Sequence, residues 1–307
     1  MTATWLDPPL SAVRDVVDRA LAEDLGVFGD LTAGLVPAGA RVAASIVARE
    51  PGVLAGRLAA SETFAAVDPA VTVRWEASDG DRLAAGTVLA RVSGPLASVV
   101  TAERTALNLL GHLSGIASLT RRFVDAAGGS SRIRDTRKTT PGLRALEKAA
   151  VRAGGGVNHR GSLSDGILVK DNHLAGLSIE AAVATAHLRW PGVPCQVECD
   201  SLDQVKTALA AGADLVMLDN MDPTQVAEAV AVVGSRVLVE VSGRVGLEEV
   251  ARYAQAGADL ISVGSLTHSA PVLDIGLDLD PDSGPDSEPD SRPDSRPDSG
   301  PDPEPEG

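Results

Sequence analysis

Residues 213–265 read ADLVMLDNMDPTQVAEAVAVVGSRVLVEVSGRVGLEEVARYAQAGADLISVGS, and this stretch decides the fold class. Three short apolar runs alternate in it with two helical stretches, DPTQVAEAVAVVG (222–234) and GLEEVARYAQAG (246–257). Regular alternation of strand and helix indicates parallel strands joined by helical crossovers. The phrase GADL occurs at 212–215 and again at 257–260, each time where a helix leads into a strand. One β/α unit is therefore repeated along the chain.

The same pattern extends toward the N-terminus as far as residue 131. Earlier apolar runs are SRIRDT (131–136), DGILVKD (165–171) and PCQVECD (194–200). Together with the three later runs they make six units, which favour a (β/α) barrel over a short open sheet. All strands of a barrel end on one face, so polar residues at these ends should converge there.

The residues before this region follow a different pattern. Residues 11–25 predict an amphipathic helix, with Ser11 as its N-cap and Gly26 at its C-terminal end. Between residues 41 and 100 short β-like runs are separated by turn signals such as Asp79-Gly80, and a Leu-rich helix begins at Thr101. This part is predicted to be a mixed α/β domain.

Length and composition set the protein class. The 307 residues are 44% hydrophobic and 22% charged, which suits about two globular domains at roughly 150 residues each. No apolar run reaches the ~18–20 residues of a membrane helix, and no secretory signal is visible. Two cysteines, Cys195 and Cys199, are too few for a disulfide framework. We therefore expect a cytoplasmic protein.

The net charge of −15 is unevenly distributed. Residues 281–307 form a PDSx repeat that carries nine carboxylates against two arginines, a net charge of −7. Proline at every fourth position and the lack of apolar residues predict a disordered acidic tail. The remaining 280 residues carry −8. Neither part favours binding to nucleic acid or to an anionic membrane, which requires a basic face.

Cations and carboxylates gather at the predicted strand ends. Arg137, Lys138, Arg160 and Lys170 indicate an anionic ligand in an otherwise acidic protein. Three other cations, Arg144, Lys148 and Arg152, have the four-residue spacing of a solvated helix stripe. The carboxylates of Glu198 and Asp219 leave three roles open: Mg²⁺ ligation, hydrogen bonding to sugar hydroxyls, or general base catalysis.

Strand alternation assigns the side chains of one strand to two faces. Gln196 and Glu198 share the interior face, so Cys195 and Cys199 should point outward to the helices, about 13 Å apart and too distant for a disulfide. At the last strand ends, the glycines of Ser242-Gly243-Arg244 and Gly264-Ser265 suit either a phosphate-binding loop or a tight turn. His159 is a site candidate because it adjoins Arg160, whereas His268 suits either the site or a domain interface.

The longer motifs resemble one known family. The strings ERTALNLLGHLSGIAS, DTRKTTPGLRALEKAAVRAGGGVNHR, VKDNH, ADLVMLDN, VEVSG and ISVGSLTHSAP resemble, in the same order, those of quinolinate phosphoribosyltransferase, also named nicotinate-nucleotide pyrophosphorylase (carboxylating). The resemblance covers roughly residues 10–277, and the DTRKTTPG…GGGVNHR motif is highly specific.

This resemblance implies an α/β fold in which an N-terminal α/β sandwich precedes an incomplete (β/α) barrel. The sandwich would span 1–110 and be completed by about 266–278, the barrel would span 111–265, and the disordered tail 279–307. It further implies a homodimer with shared active sites. The implied reaction joins quinolinate to 5-phosphoribosyl-1-pyrophosphate with Mg²⁺ and gives nicotinate mononucleotide, CO₂ and pyrophosphate in NAD synthesis.

The resemblance also implies roles for individual residues. Arg137, His159 and Arg160 would hold the quinolinate carboxylates, with Arg104 reaching in from the other subunit. Lys138 and Lys170 would neutralise the leaving pyrophosphate, and Glu198 and Asp219 would hold ribose hydroxyls and Mg²⁺. The catalytic candidates are therefore Lys138, Lys170, Glu198 and Asp219. The substrate-binding candidates are these four and Arg104, Thr136, Arg137, His159, Arg160, Ser242, Gly243, Arg244, Val263, Gly264, Ser265 and His268.

The chain departs from the family's usual motifs at two places, and three alternative functions compete with this interpretation. The family usually has SGN or SGG where this chain has Ser242-Gly243-Arg244, and Met-Gly-Leu where it has Gly161-Ser162-Leu163. A paralogue acting on another base, a Schiff-base lyase using Lys170, and a non-catalytic sensor of phosphoribosyl pyrophosphate are the alternatives. The retained cations argue against the paralogue, and the retained Glu198 and Asp219 argue against the sensor. Asp171 beside Lys170 favours the charged form of the lysine, which argues against the lyase.

Overall fold

The computed structural model describes residues 7–280. From residue 7 to 130 the elements are α1 (Leu10–Leu25), a 3₁₀ turn (Ala33–Leu35), β1 (Arg41–Ala48), β2 (Gly52–Val53), α2 (Arg57–Val67), β3 (Thr72–Trp75), β4 (Arg82–Leu83), β5 (Val88–Pro95) and α3 (Leu96–Ala127).

From residue 131 to 280 strands and helices alternate. In order they are β6 (Arg132–Arg134), α4 (Arg144–Ala153), β7 (Ile167–Val169), α5 (Asp171–Leu174), α6 (Ile179–Arg189), β8 (Cys195–Cys199), α7 (Leu202–Ala210), β9 (Leu215–Asp219), α8 (Pro223–Val233), β10 (Leu238–Ser242), α9 (Val250–Gln255), β11 (Leu260–Ser262), α10 (Ser265–His268) and β12 (Ile275–Leu279).

The predicted α/β fold class is confirmed by two main sheets. One is a parallel sheet with strand order β6-β11-β10-β9-β8-β7, whose neighbours pair in parallel throughout. The other is antiparallel with order β12-β1-β5-β3, so the last strand lies beside the first long one. Parallel pairing follows from the helical crossover between consecutive strands.

The parallel sheet curls into an incomplete barrel. Arg134 of β6 and Gln196 of β8 both donate to the same Oε2 of Glu240 on β10, at 2.7 and 2.8 Å. Each of these strands is two positions from β10, about 10 Å away in a flat sheet. The inward faces therefore meet across the interior. At the open edge a bridge pairs Arg134 with Val157, and the Arg160 guanidinium donates to the carbonyl of Gly166 just before β7.

Helix α3 is shared by two hydrophobic clusters. Leu110 packs with Ile46, Phe64 and Leu89 under the antiparallel sheet. Ile116, less than two turns later, belongs to the cluster between the barrel strands and their helices. The domain boundary placed at 110/111 thus falls inside one continuous helix, because both cores need a face of it. Among residues 7–280, no helix is both apolar and long enough to span a bilayer.

Three local expectations can be compared with the structure. Helix α1 begins at Leu10 with Pro9 as its N-cap and no side-chain cap, so the prediction of Ser11 is wrong; the Pro9 carbonyl accepts the first helical hydrogen bond, from Val13. Cys195 and Cys199 are buried free thiols in the hydrophobic cluster between the barrel strands and their helices, as the strand alternation predicted. Leu279, which the sequence interpretation assigned to the disordered tail, is the last residue of β12 and pairs with Ala44, and Asp280 donates its N–H to the carbonyl of Ala43. The predicted tail from 281 onward lies outside the described residues.

The segment before β12 crosses α3 at two glycines. The N–H of Leu273 donates to the carbonyl of Gly111 at 3.0 Å, and a Cβ on Gly115 would lie 2.0 Å from the carbonyl oxygen of Pro271. Real Cβ atoms do not approach backbone this closely. The absence of a side chain at Gly115 is therefore what brings the C-terminal segment onto the helix.

We expect Gly115→Ala to destabilise the protein by about 3 kcal/mol, because overpacking against backbone cannot be relieved by a rotamer change. The measurement is the free energy of unfolding in urea. Gly34→Ala is the matched control, since a Cβ there meets nothing within 4 Å. Equal stability of the two variants would contradict this account of the packing.

Candidate active site

A cavity of about 620 Å³ lies at the carboxyl ends of the parallel strands. Strand ends β6, β7, β9, β10 and β11 contribute to it, together with the loop that follows α4. Its lining residues are Thr136, Arg137, Lys138, His159, Arg160, Leu168, Lys170, Met217, Asp219, Asn220, Ser242, Gly243, Arg244 and Ser262. This is the face on which barrel proteins build their binding sites.

The cavity is strongly cationic. Five of its lining side chains are Arg or Lys, and one lining side chain, Asp219, carries a carboxylate. Burial, and then the charge of nearby Arg137, hold the pKa of Arg160 below its usual value. Like charges that face one another in this way favour an anion between them. The geometry therefore supports a ligand with more than one negative charge.

Glu240 forms the floor of the cavity. It is fully buried, and it accepts hydrogen bonds from the Arg134 guanidinium, the Gln196 amide and the Ser262 hydroxyl. A buried carboxylate with several donors is held in one position, because losing a partner leaves an uncompensated charge. The Glu240 carboxylate thus has a fixed position below the ligand space.

His159 lines the cavity and lies next to Glu240. Its Nδ1 accepts the backbone N–H of Arg160 at 2.8 Å, so the ring proton of the neutral form is on Nε2, which lies 3.6 Å from Oε1 of Glu240. Burial and the charges of the neighbouring cations, Arg134 among them, together lower the pKa of His159 to about 4 despite the opposing charge of Glu240. The imidazole is therefore neutral at pH 7, and His159 contributes shape and hydrogen bonding but no positive charge.

Asp135 anchors the two loops that carry the cations. This buried carboxylate follows β6 directly and accepts from the Lys148 ammonium, the Asn158 amide and the backbone N–H of His159. Burial raises the pKa of Asp135 and lowers the pKa of Lys148. The hydrogen bonds and the attraction between the two charges oppose both shifts. The contacts of Asp135 fix the start of each loop.

The cations of α4 are not the solvated stripe expected from their spacing. Lys148 is buried against Asp135, Arg152 donates to the side chain of Asn158, and Arg144 donates to Thr139 and Gly161. Their shared helix face is turned toward the loops. A four-residue spacing places side chains on one face but does not say whether that face meets solvent or protein.

Two neighbouring strand ends carry the carboxylates. Lys170, after β7, contacts Glu198 on β8, and Glu198 is nearly buried below the cavity rim. Asp219, at the end of β9, accepts from the side-chain amide of Asn220 at 2.6 Å. The two carboxylates are thus on adjacent strands, and each has one partner at hydrogen-bonding distance.

The loop after β10 requires a glycine. Gly243 has φ = +132°, and a Cβ there would lie 2.9 Å from Oδ1 of Asn220. Asn220 itself has φ = +55° and donates its N–H to the carbonyl of Ser242. These contacts tie the ends of β9 and β10 together, so the turn role of Gly243 holds whether or not its N–H also binds an anion.

Some predicted site residues lie outside the cavity of this chain. Arg104 is on α3, with two thirds of its side chain exposed and Glu103 as the nearest carboxylate. Val263 is buried, and its N–H donates to the carbonyl of Arg134. Gly264 and His268 lie next to Lys138: a Cβ on Gly264 would meet Cδ of that lysine at 3.2 Å and Nε2 of His268 at 3.3 Å. Ser265 opens the short helix α10 in the same place.

Other residues at the site were not singled out from the sequence. Met217 and Ser262 line the cavity, and Glu240 lies beneath it. Each occupies an inward position two residues before a strand-end residue, so strict alternation along β9, β10 and β11 would have identified them. Asn220 also lines the cavity, and its signal in the sequence is its place beside Asp219 among the polar residues at the predicted strand ends.

We expect His159→Gln to remove a pH dependence of stability between about pH 6.5 and 4. In this range the unfolded chain binds more protons than the folded one, because the folded pKa of His159 is lowered, so wild-type stability falls as pH decreases. Above pH 6.5 the imidazole is neutral in both states and adds no slope. Urea unfolding at successive pH values should show the difference between wild type and variant changing by up to about 1.4 kcal/mol per pH unit. Parallel stability curves would contradict the neutral, buried imidazole.

Comparison with known proteins agrees with this geometry. Family models for the N-terminal and C-terminal domains of quinolinate phosphoribosyl transferase match residues 30–114 and 116–278. Nicotinate-nucleotide pyrophosphorylase (carboxylating) of Mycobacterium leprae is 47% identical over 283 residues, covering 89% of this chain and 99% of that protein. The chloroplastic protein of that name from Arabidopsis thaliana is 39% identical over 293 residues, covering 89% and 84%.

A solved structure shows the same similarity at the level of the fold. The nicotinate-nucleotide pyrophosphorylase of Francisella tularensis superposes with a TM-score of 0.87 at 36% identity, covering 89% of this chain and 98% of that one. Its likeness extends over both sheets, as the coverage requires. The resemblance noted in the sequence motifs is confirmed, and the chain belongs to the quinolinate phosphoribosyltransferase family of enzymes.

Proposed function

We propose that this chain joins quinolinate to 5-phosphoribosyl-1-pyrophosphate and releases CO₂ and pyrophosphate, giving nicotinate mononucleotide for NAD synthesis. Family membership supports the reaction class. The observation that carries the assignment of the site is the convergence of Arg137, Lys138, Arg160 and Lys170 on one cavity at the barrel mouth.

Quinolinate is a dianion with adjacent carboxylates, and the cavity suits it. Arg137 and Arg160 approach from two different loops, and their mutual repulsion is relieved when carboxylates lie between them. His159 would form a neutral wall that can receive the ring without adding a competing charge. Holding the ring nitrogen against the sugar carbon is worth ~7–11 kcal/mol when the orientation is favourable.

The chemistry follows from charge development. The ring nitrogen forms a bond to C1 of the ribose while the bond from C1 to the pyrophosphate oxygen breaks, and the electron pair leaves with pyrophosphate. Lys138 and Lys170 would stabilise that leaving group electrostatically. The ribosylated nitrogen is positive, so it stabilises the electron pair that stays on the neighbouring ring carbon when the carboxylate of that carbon departs as CO₂. A proton then replaces CO₂ on the ring carbon.

Carboxylates and the later strand ends would hold the sugar phosphate. Glu198 and Asp219 would accept hydrogen bonds from ribose hydroxyls. They lie on adjacent strands, Asp219 lines the cavity, and Glu198 contacts the cavity residue Lys170. Ser242, Gly243 and Arg244 line the cavity and would receive the 5-phosphate. Gly264 and Ser265 do not line the cavity, so we assign the larger share of the phosphate contacts to the β10 loop.

Mg²⁺ is proposed as the metal that accompanies the pyrophosphate. In residues 7–280 no three His, Cys, Asp or Glu side chains are grouped closely enough to hold a metal by themselves. Two hard oxygen donors, Glu198 and Asp219, nevertheless fit an ion that keeps most of its contacts to phosphate and water. When bound, Mg²⁺ would neutralise charge on the leaving group.

A homodimer with shared active sites completes the proposal. Arg104 is exposed and lies outside its own cavity, which suits a residue that reaches the partner's site. Exposed apolar residues at Val27, Phe28, Leu31 and Leu35 give the same N-terminal region a surface suited to burial in a subunit contact. The cytoplasmic location expected from the sequence accompanies this proposal.

A product assay tests the reaction. Enzyme, 5-phosphoribosyl-1-pyrophosphate and Mg²⁺ are incubated with quinolinate or with nicotinate, and mononucleotide and CO₂ are quantified. We expect nicotinate mononucleotide and equimolar CO₂ from quinolinate and no turnover of nicotinate, because the cavity is built for two carboxylates. Turnover of nicotinate alone would support the paralogue that acts on another base, and turnover of neither would contradict the assignment.

Mixing two inactive variants tests the shared site. Arg104→Ala and Arg137→Ala should each be nearly inactive, because each removes a carboxylate contact. After random subunit exchange, half the dimers are hybrid and one of their two sites is intact, so about a quarter of wild-type activity should return. Absence of recovery, once mass spectrometry has shown that hybrids formed, would contradict a site built from two subunits.

A further inference from the structure

Arg144 joins the two loops that carry the site cations. Its Nε donates to the hydroxyl of Thr139 at 3.0 Å, and its Nη1 donates to the carbonyl of Gly161 at 3.1 Å. Thr139 directly follows Lys138, and Gly161 directly follows Arg160. One planar guanidinium therefore spans the backbone next to one cation of each loop.

The other contacts of these loops leave this role to Arg144. Lys148 and Asn158 bind Asp135, which anchors both loops near their starts, before the cations. Thr140, beyond Lys138, donates its N–H to the buried Glu147 on α4, and this contact involves only the first loop. The bond pair made by Arg144 links the loops beyond their cations.

A partly buried arginine usually pairs with a carboxylate or lines a binding cavity, and Arg144 does neither. It forms no ion pair with a carboxylate in the described residues, where the salt bridges of α4 belong to Glu147 and Lys148. It also does not line the cavity formed by residues 136–262. Its two hydrogen bonds go to neutral acceptors, so these contacts affect a ligand through the two loops.

We propose that Arg144 is a positioning residue that sets the spacing between the Arg137–Lys138 loop and the His159–Arg160 loop, and thereby determines selectivity for a ligand with two adjacent carboxylates. This proposal rests on the proposed function. A dicarboxylate bridges both loops and is sensitive to their separation. A monocarboxylate needs one loop only, so its affinity is insensitive to that separation.

The planar shape of the side chain matters as well as its charge. The two donors are fixed in the guanidinium plane, so the two acceptors are held at a fixed distance. A lysine retains the charge on a flexible stem but has a single nitrogen. Substitution by lysine thus separates a spacing role from a long-range charge effect, and methionine removes both.

The test is calorimetric titration of Arg144→Lys and Arg144→Met with quinolinate and, separately, with nicotinate. We expect quinolinate affinity to fall about 10- to 100-fold in both variants, the loss of one or two charge-assisted hydrogen bonds, and nicotinate affinity to change less than about threefold. Arg189→Met is the matched control: this exposed arginine lies on α6, and its variant should bind both ligands as wild type does.

Thr139→Val provides a milder second variant if the arginine variants fold poorly. It removes one acceptor of the pair, keeps the size of the side chain, and should reduce quinolinate selectivity in the same direction by a smaller factor. Combined with Arg144→Lys it should add little further loss, because both changes break the same contact.

The possible outcomes separate the spacing role of Arg144 from the proposed function on which it rests. Wild-type quinolinate affinity in Arg144→Lys would show that only the charge matters and would overturn the spacing role. Equal losses for quinolinate and nicotinate, or no loss in Arg144→Met, would overturn it too. A wild-type enzyme that fails to prefer quinolinate over nicotinate would instead contradict the proposed function itself.

Discussion

The buried carboxylate of Glu240 is the constraint on which the barrel depends. A fully buried charge is tolerated only when donors surround it, and here the donors come from β6, β8 and β11. The sheet must curl until Arg134, Gln196 and Ser262 reach one point. The same carboxylate faces the imidazole of His159, so the closure of the barrel and the floor of the active site are a single arrangement.

Around this floor the cations divide into two groups with different tasks. Those of α4 direct their donors at loop backbone and at Asp135, and in doing so they fix the path of the chain. Those of the loops, Arg137 and Lys138 among them, face the cavity. A site for a multiply charged ligand needs both groups, because repelling cations stay close together only when their backbone is held by other contacts. The ligand then meets a pocket that requires little reorganisation.

The sequence predicted the fold more completely than it predicted the contacts that hold the site residues in position. Strand alternation was enough to place Gln196 inward and the cysteines outward, and the strand ends were enough to name most of the residues that line the cavity. The inward direction of Arg144 and Lys148 could not be read from their spacing, which is the same for a solvated face and a packed one. The neutral state of His159 depends on burial and on the Arg160 N–H, and neither is visible before the loop is folded. The limit drawn at 110/111 lies within α3, and this one helix contributes to both cores.

The pairing of β12 with β1 has a consequence for the order in which the protein is made. Ala44 leaves the ribosome early, yet its partner Leu279 is among the last residues of the described chain to be synthesised. Until then β1 has β5 on one side and an unpaired row of backbone groups on the other. The first sheet to be translated is thus the last to be completed, and throughout translation of the barrel its open edge is available to strands of other nascent chains.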